Sequence, residues 1–293
     1  MKRTNNIWNG ICLSAALFLF SCSPEARQND NAGLINEKTR IVSLNGSVTE
    51  VLCRLGLEDK ISGVDVTSTY PVSIQKLPKV GHNRNIAAEA VIALTPTLVV
   101  GLDEQMNPGL LEQLKGANIK VIPFHLEYNP QGTKDLVNAI ADTLGKKDAA
   151  KAVTDKIDAD LAQAVKPARP VKVLFIYARG AGTLMVAGEK TAPNRMIRLA
   201  GGENAATGFE DFKPLTPEAL VKGNPDVILM FDSGLQSLGG IDGLLQVPGI
   251  KETNAGRNQK VIEMDGQLLA GFGPRVGEAV TLLAQQLNEV AAR

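Results

Sequence analysis

Ala87-Ala88-Glu89-Ala90-Val91-Ile92-Ala93-Leu94-Thr95-Pro96 leads into the apolar run Leu98-Val99-Val100, and Thr216-Pro217-Glu218-Ala219-Leu220-Val221 leads through Pro225 into Val227-Ile228-Leu229. Glu89 and Glu218 stand at the same offset from their prolines, seven residues ahead of Pro96 and Pro225. In both stretches the glutamate opens a short predicted helix, the proline ends it, and a buried parallel-type strand follows. A helix–proline–strand unit repeated in one register predicts two similar α/β lobes in one chain. Such lobes, facing each other, make a cleft with one glutamate on each.

Length and composition agree. A chain of 293 residues that is 44% hydrophobic suits two domains of about 100–200 residues each. Its 31 basic and 31 acidic residues balance. Loss of a leader carrying Lys2 and Arg3 would leave a slightly acidic protein, so nucleic acid is not an expected partner.

Residues 1–21 read as a cleaved export signal, with a basic start and a mostly apolar stretch from Ile7 to Phe20 that is short for a membrane span. Leu19-Phe20-Ser21-Cys22 resembles the bacterial lipobox, with Phe20 in place of the usual small residue. Cys22 is therefore the expected lipidated N-terminus; ordinary cleavage nearby, leaving a free thiol, is the alternative. Residues 22–38 are polar and suit a flexible tether. Cys53, among Val51, Leu52 and Leu55, has no expected disulfide partner and reads as a buried small hydrophobe.

Residues 39–131 form the expected N-terminal α/β lobe. Arg40–Leu44 reads as its first strand, and Ser47 with Glu50 three residues on has the spacing of a capping box at the next helix. Residues 132–168 form the expected connection. There Ala150, Val153, Ile157, Leu161 and Val165 recur at helical spacing, which predicts one long helix acting as a stiff rod. Residues 169–293 form the second lobe, opening on the strong strand Val171–Tyr177.

Gly180-Ala181-Gly182 invites a dinucleotide reading, but Leu184-Met185-Val186 looks like strand, and without a helix N-terminus there is no pyrophosphate seat. The sequence holds 2 histidines, His82 and His125, too few for a three-histidine metal site. No hydrolase motif appears, so no enzyme is expected.

Six blocks occur in order: Ser47-Val48-Thr49-Glu50; Thr67-Ser68-Thr69-Tyr70-Pro71; Leu77-Pro78-Lys79-Val80-Gly81; Met185-Val186-Ala187-Gly188; Leu215-Thr216-Pro217-Glu218-Ala219; and Gly271-Phe272-Gly273-Pro274-Arg275. Together they resemble the haem-binding substrate-binding proteins of bacterial ABC importers, in the helical-backbone class that also holds cobalamin and siderophore binders. The resemblance runs from about residue 40 to the C-terminus. It implies two Rossmann-like lobes joined by a single long helix, with the ligand held between them.

It also implies roles. The position matching the family's iron-ligating tyrosine is Tyr70, which read alone is a loop tyrosine packing beside Pro71. A phenolate is a hard anionic donor suited to ferric iron. Ligation at neutral pH requires the iron or a nearby cation to stabilise the deprotonated form, and Arg84 is the candidate cation. Leu184, Met185, Val186, Leu268, Leu269 and Phe272 are candidates for an apolar slot, although core packing serves each equally. Arg179, Lys190 and Arg275 are candidates for the propionates. His82, His125, Met185 and Tyr177 are candidates for a second axial ligand, with a five-coordinate iron favoured because neither histidine lies in the second lobe.

Glu89 and Glu218 match the glutamates that dock relatives onto arginines of the membrane permease. The helix macrodipole alone would also favour a glutamate at either place. The expectation is a monomeric, lipid-anchored periplasmic protein that delivers ferric haem to an ABC permease in iron acquisition. A binder of cobalamin or a ferric siderophore on the same fold is the alternative.

Overall fold

The protein is described here by a computed structural model, which covers residues 34–82 and 85–292. The expected leader, Cys22, the tether up to residue 33, and Arg84 lie outside the described residues.

The first half runs β1 (Ile41–Ser43), α1 (Gly46–Arg54), β2 (Ile61–Val64), the short pair β3 (Gly81–His82) and β4 (Asn85–Ile86), α2 (Ala88–Ile92), β5 (Leu98–Leu102), α3 (Pro108–Gly116) and β6 (Lys120–Phe124). Strands β2, β1, β5 and β6 pair in that order, all parallel. Every residue of β1 and β5 is buried, as expected of parallel strands covered on both faces.

Two helices follow, α4 (Pro130–Thr143) and α5 (Lys147–Leu161). The long helix expected from the apolar period is α5, and α4 precedes it across a break at Leu144–Lys146. Asn129 caps α4, its side chain accepting from the Gly132 amide, and Pro130 opens the first turn. An Asn-Pro start of this kind was the signal available in the sequence. Helix α5 also ends earlier than its apolar period, leaving Val165 outside it and 70% exposed.

The second half comprises β7 (Lys172–Ala178), β8 (Leu184–Ala187), α6 (Ala192–Leu199), β9 (Glu203–Asn204), β10 (Phe212–Pro214), α7 (Pro217–Gly223), β11 (Val227–Phe231), α8 (Asp232–Ser237), α9 (Gly240–Leu244), α10 (Asn254–Arg257), β12 (Val261–Met264), α11 (Gly266–Ala270) and α12 (Val276–Ala291). Its sheet runs β10-β8-β7-β11-β12, with β9 also pairing with β7. The segment Arg179–Thr183 turns β7 back into antiparallel β8, which removes the helix a dinucleotide would need.

Helix α12 holds the chain leaving α5. The Thr281 hydroxyl donates to the Asp160 carbonyl at 2.8 Å, and Asn288 Nδ2 donates to the Val165 carbonyl at 2.6 Å. Those tertiary bonds give donors to carbonyls in the last turn of α5 and in the chain beyond it.

The duplicated units occupy equivalent places. Strand β5 lies between β1 and β6, and β11 between β7 and β12, all parallel. In each unit the residue before the proline is left-handed, Thr95 at φ 45° and Asn224 at φ 36°. Both prolines are buried and both glutamates are exposed. One hydrophobic core runs through both sheets and the connecting helices, including Ile41, Leu52, Leu136, Ile157, Phe175 and Leu283.

Candidate functional site

Ligands of open parallel sheets bind beyond the carboxyl ends of the strands. Here the segments leaving β1, β2 and β12 meet each other. Asn45 follows β1 and caps α1, its Oδ1 accepting from the amides of Ser47 at 2.8 Å and Val48 at 3.2 Å. The N-cap is thus Asn45, not Ser47. The Ser47 hydroxyl, displaced from that role, donates across the lobes to the Gly271 carbonyl at 2.5 Å. Contact is close enough to require glycine at position 46, where a Cβ would lie 2.8 Å from the Thr67 carbonyl oxygen.

The loop after β2 carries Tyr70 and is organised from below by buried polar groups. Asp65 is fully buried and accepts from the Thr67 amide at 2.9 Å, from the Thr67 hydroxyl, and from the Ser68 hydroxyl at 2.6 Å. Ser68 shares a second hydrogen bond with Thr49, whose hydroxyl also donates to Ser43. Lys79 donates to the Ser68 carbonyl, and burial holds its ammonium pKa below the usual lysine range. Satisfied networks of this kind fix a loop in one conformation.

From the other lobe, Gln267 on α11 clamps the same loop. Its Oε1 accepts from the amides of Thr69 at 2.8 Å and Tyr70 at 3.1 Å. Its Nε2 donates to the Gly46 carbonyl at 2.9 Å and to Glu50 at 3.3 Å. Tyr70 is half-buried, and the Arg275 guanidinium lies over its ring, 3.7 Å from the ring centre. Arg275 Nε donates in turn to Glu50 Oε1 at 3.0 Å. The Glu50 side chain is 2% exposed and that of Arg275 11%. Burial raises the Glu50 carboxyl above its ordinary pKa, opposed by the charge and hydrogen bond of Arg275.

Glu50 therefore does not close a capping box. Its partner, Arg275, expected to pair with a propionate, commits one edge of its guanidinium to Glu50 and one face to the Tyr70 ring. The cation beside the phenol is Arg275; Arg84, expected there, lies outside the described residues. Nothing local marked Glu50, because its partner is 225 residues away.

The remaining expected residues are dispersed. Arg179 is exposed in the β7–β8 turn, and Lys190 is bound to Glu210 at 2.8 Å. Met185 is half-buried on β8, paired with Tyr177 and Pro214. Val186, Leu269 and Phe272 belong to the core rather than to a slot, with Phe272 edge-on to Tyr128. Among second-ligand candidates, His125 is exposed and bonded to Asp103 at 3.1 Å, and His82 is half-buried on β3. Cys53 is half-buried rather than buried, and desolvation pushes its thiol up to about 12.

An aromatic group that the sequence pattern did not reveal stands on the second sheet. Phe231 packs on Phe175 at 4.9 Å and on Tyr177 at 6.2 Å, and Phe212 reaches both Phe175 and Tyr177 at 6.4 Å. Phe212 is 38% exposed, and a Cβ at Gly266, next to Gln267, would touch the Phe231 ring. Only alternation along β7 (Phe175, Tyr177) hinted at it. Two surface hollows, one along β12 and α12 and one between α5 and α12, do not touch Tyr70.

A family model described as periplasmic binding protein matches residues 41–268. The periplasmic heme-binding protein RhuT from Roseiflexus sp. RS-1, in apo form, superposes with a TM-score of 0.83 at 38% identity, covering 86% of this chain and 99% of that one. YvrC of Bacillus subtilis (strain 168), an uncharacterized ABC transporter substrate-binding lipoprotein, is 29% identical over 98% of both chains. The Vitamin B12-binding protein of Vibrio parahaemolyticus serotype O3:K6 (strain RIMD 2210633) is 27% identical over 78% of this chain and 82% of its own.

Proposed function

The chain belongs to the periplasmic binding protein family, and from that premise we propose that it captures ferric haem outside the cytoplasm and delivers it to an ABC permease. Tyr70 is the axial ligand in this reading. The observation that carries it is the placement of Tyr70, half-buried on a loop that Gln267 holds from the second lobe, with the Arg275 guanidinium 3.7 Å over its ring; a phenol oxygen there is a hard donor of the kind ferric iron takes. The haem-binding relative at 38% identity supports the same cargo.

The aromatic group of Tyr177, Phe212 and Phe231 supplies an apolar wall on the second sheet for one face of the macrocycle. Each 100 Å² of that face taken from water contributes about 2.5 kcal/mol before entropic costs. Met185 stands on the same sheet, and Arg179, exposed in the turn between β7 and β8, pairs with a propionate. Residues 39–131 and 169–293 act as the two lobes and 132–168 as their connection. Cys22 carries the lipid anchor, and the protein works as a monomer without turnover of its cargo.

Glu89 and Glu218 dock the two lobes onto cationic sites of the permease. Both are exposed in the first turn of their helices, and three residues on each helix shows an exposed aliphatic side chain, Ile92 at 36% and Val221 at 54%. The double Glu89→Ala, Glu218→Ala variant is expected to bind hemin within about twofold of wild type while losing uptake; full uptake would refute the docking role.

Side-by-side titration of the purified protein with hemin, cobalamin and a ferric siderophore tests the cargo. Hemin is expected to bind one equivalent or more with a phenolate-to-iron charge-transfer band, and Tyr70→Phe to abolish that band and weaken binding by roughly 100-fold, about 2.7 kcal/mol. Saturable cobalamin binding without a hemin response would instead establish the reading that the B12-binding relative supports.

A further inference from the structure

Replacing a buried ion pair by apolar side chains is often neutral or stabilising, so fold stability alone is a weak reason for Glu50 and Arg275 to sit at the seam. Three observations give the pair another purpose. Both Glu50 oxygens bond groups that reach Tyr70: Oε1 accepts from Arg275 Nε, and Oε2 accepts from Gln267 Nε2. Arg275 covers the Tyr70 ring, and Gln267 accepts from the Tyr70 amide. One carboxylate thus orients both the cation on the ring and the amide that holds the backbone. The third observation is a donor without an acceptor: Arg275 Nη2 is buried and makes no hydrogen bond. A guanidinium nitrogen so placed is arranged for an anionic oxygen that arrives or forms at the site.

We propose that Glu50 is a positioning residue for cargo capture: it fixes the Arg275 guanidinium across the Tyr70 ring and Gln267 on the Tyr70 backbone, so that the ligating side chain is already in place when ferric iron arrives. The proposal rests on Tyr70 being the iron ligand. It assigns a task to a side chain of the first lobe that never touches haem. Lysine in place of Arg275 would not reproduce it, since a point charge cannot donate to Glu50 and lie flat on the ring together.

Hemin is titrated into the full chain carrying Glu50→Gln, Arg275→Met, or both. Glu50→Gln keeps the volume but removes the charge and one of the two acceptor oxygens, so it cannot hold Arg275 Nε and Gln267 Nε2 together. Its hemin affinity is expected to fall about tenfold, and its charge-transfer band to move as the Tyr70 ring loses its fixed neighbour. The double variant is expected to be no weaker than Arg275→Met alone, since Glu50 acts through Arg275. Glu50→Asp, which keeps the charge at shorter reach, is expected to be intermediate, and serves if Glu50→Gln does not fold.

Wild-type affinity and an unmoved band in Glu50→Gln would overturn the proposal, as would losses that simply add in the double variant. A failure of the Tyr70 reading looks different: wild type would then show no phenolate band at all, or keep it in Tyr70→Phe.

Discussion

The two lobes agree in their scaffold and differ where the chemistry is proposed. In each, a short helix carrying an exposed glutamate ends at a left-handed residue, a buried proline follows, and the central strand of a parallel triplet begins. Beyond the carboxyl ends of the strands the likeness stops. The first lobe places a long loop there, held by Asp65 and carrying Tyr70, whereas the second places α11 and an aromatic wall. The repeated part is what two-fold contact with a symmetric partner would use. The unrepeated part is what an asymmetric ligand, one iron with one axial donor, would use.

The sharpest way to break the comparison is at the seam where the halves differ. Arg275→Met leaves the Glu50 carboxylate buried without its cation, and is expected to cost about 3–5 kcal/mol in urea unfolding. Adding Glu50→Gln should recover part of that loss, because no unpaired charge remains.

Inside the repeat, Thr95 and Asn224 hold the same left-handed conformation with different side chains. Asparagine adopts it at less cost than a β-branched residue. Asn224→Thr is expected to cost about 2 kcal/mol, since it also removes the acceptor for the Asn254 amide at 2.8 Å. Thr95→Asn should stabilise the first lobe by about 0.5–1 kcal/mol in the same assay.

The smallest effect is pH dependence. The Glu50 carboxyl has its pKa raised in the folded state, so the folded protein holds that proton more firmly than the unfolded chain. Stability from this group is therefore full below the ordinary carboxylate pKa and declines as pH rises through the elevated folded value. Glu50→Gln should flatten that segment of the pH–stability curve.

Legibility followed sequence distance. Strands β1, β5, β7 and β11 were readable as apolar runs, and α2 and α7 as glutamate-to-proline units, because neighbouring residues set those patterns. Helix α4 had a readable start in Asn129-Pro130. A glutamate three residues after a serine satisfies a local rule, and at Glu50 that rule loses to Arg275 in the other half of the chain. The aromatic wall drew Phe212 and Phe231 from separate strands, so no single stretch advertised it.

By itself the sequence determined that two α/β units would form, that their glutamates would stand in one register, and that Tyr70 would lie on an irregular loop, since periodicity, proline and turn chemistry act over a few residues. Only the tertiary structure decided that Glu50 would be buried against Arg275, that Arg275 would lie on Tyr70, and that Gln267 would clamp the loop. Those contacts depend on which strand ends the shared core brings together, and the desolvation that gives them their strength exists only once the halves have met.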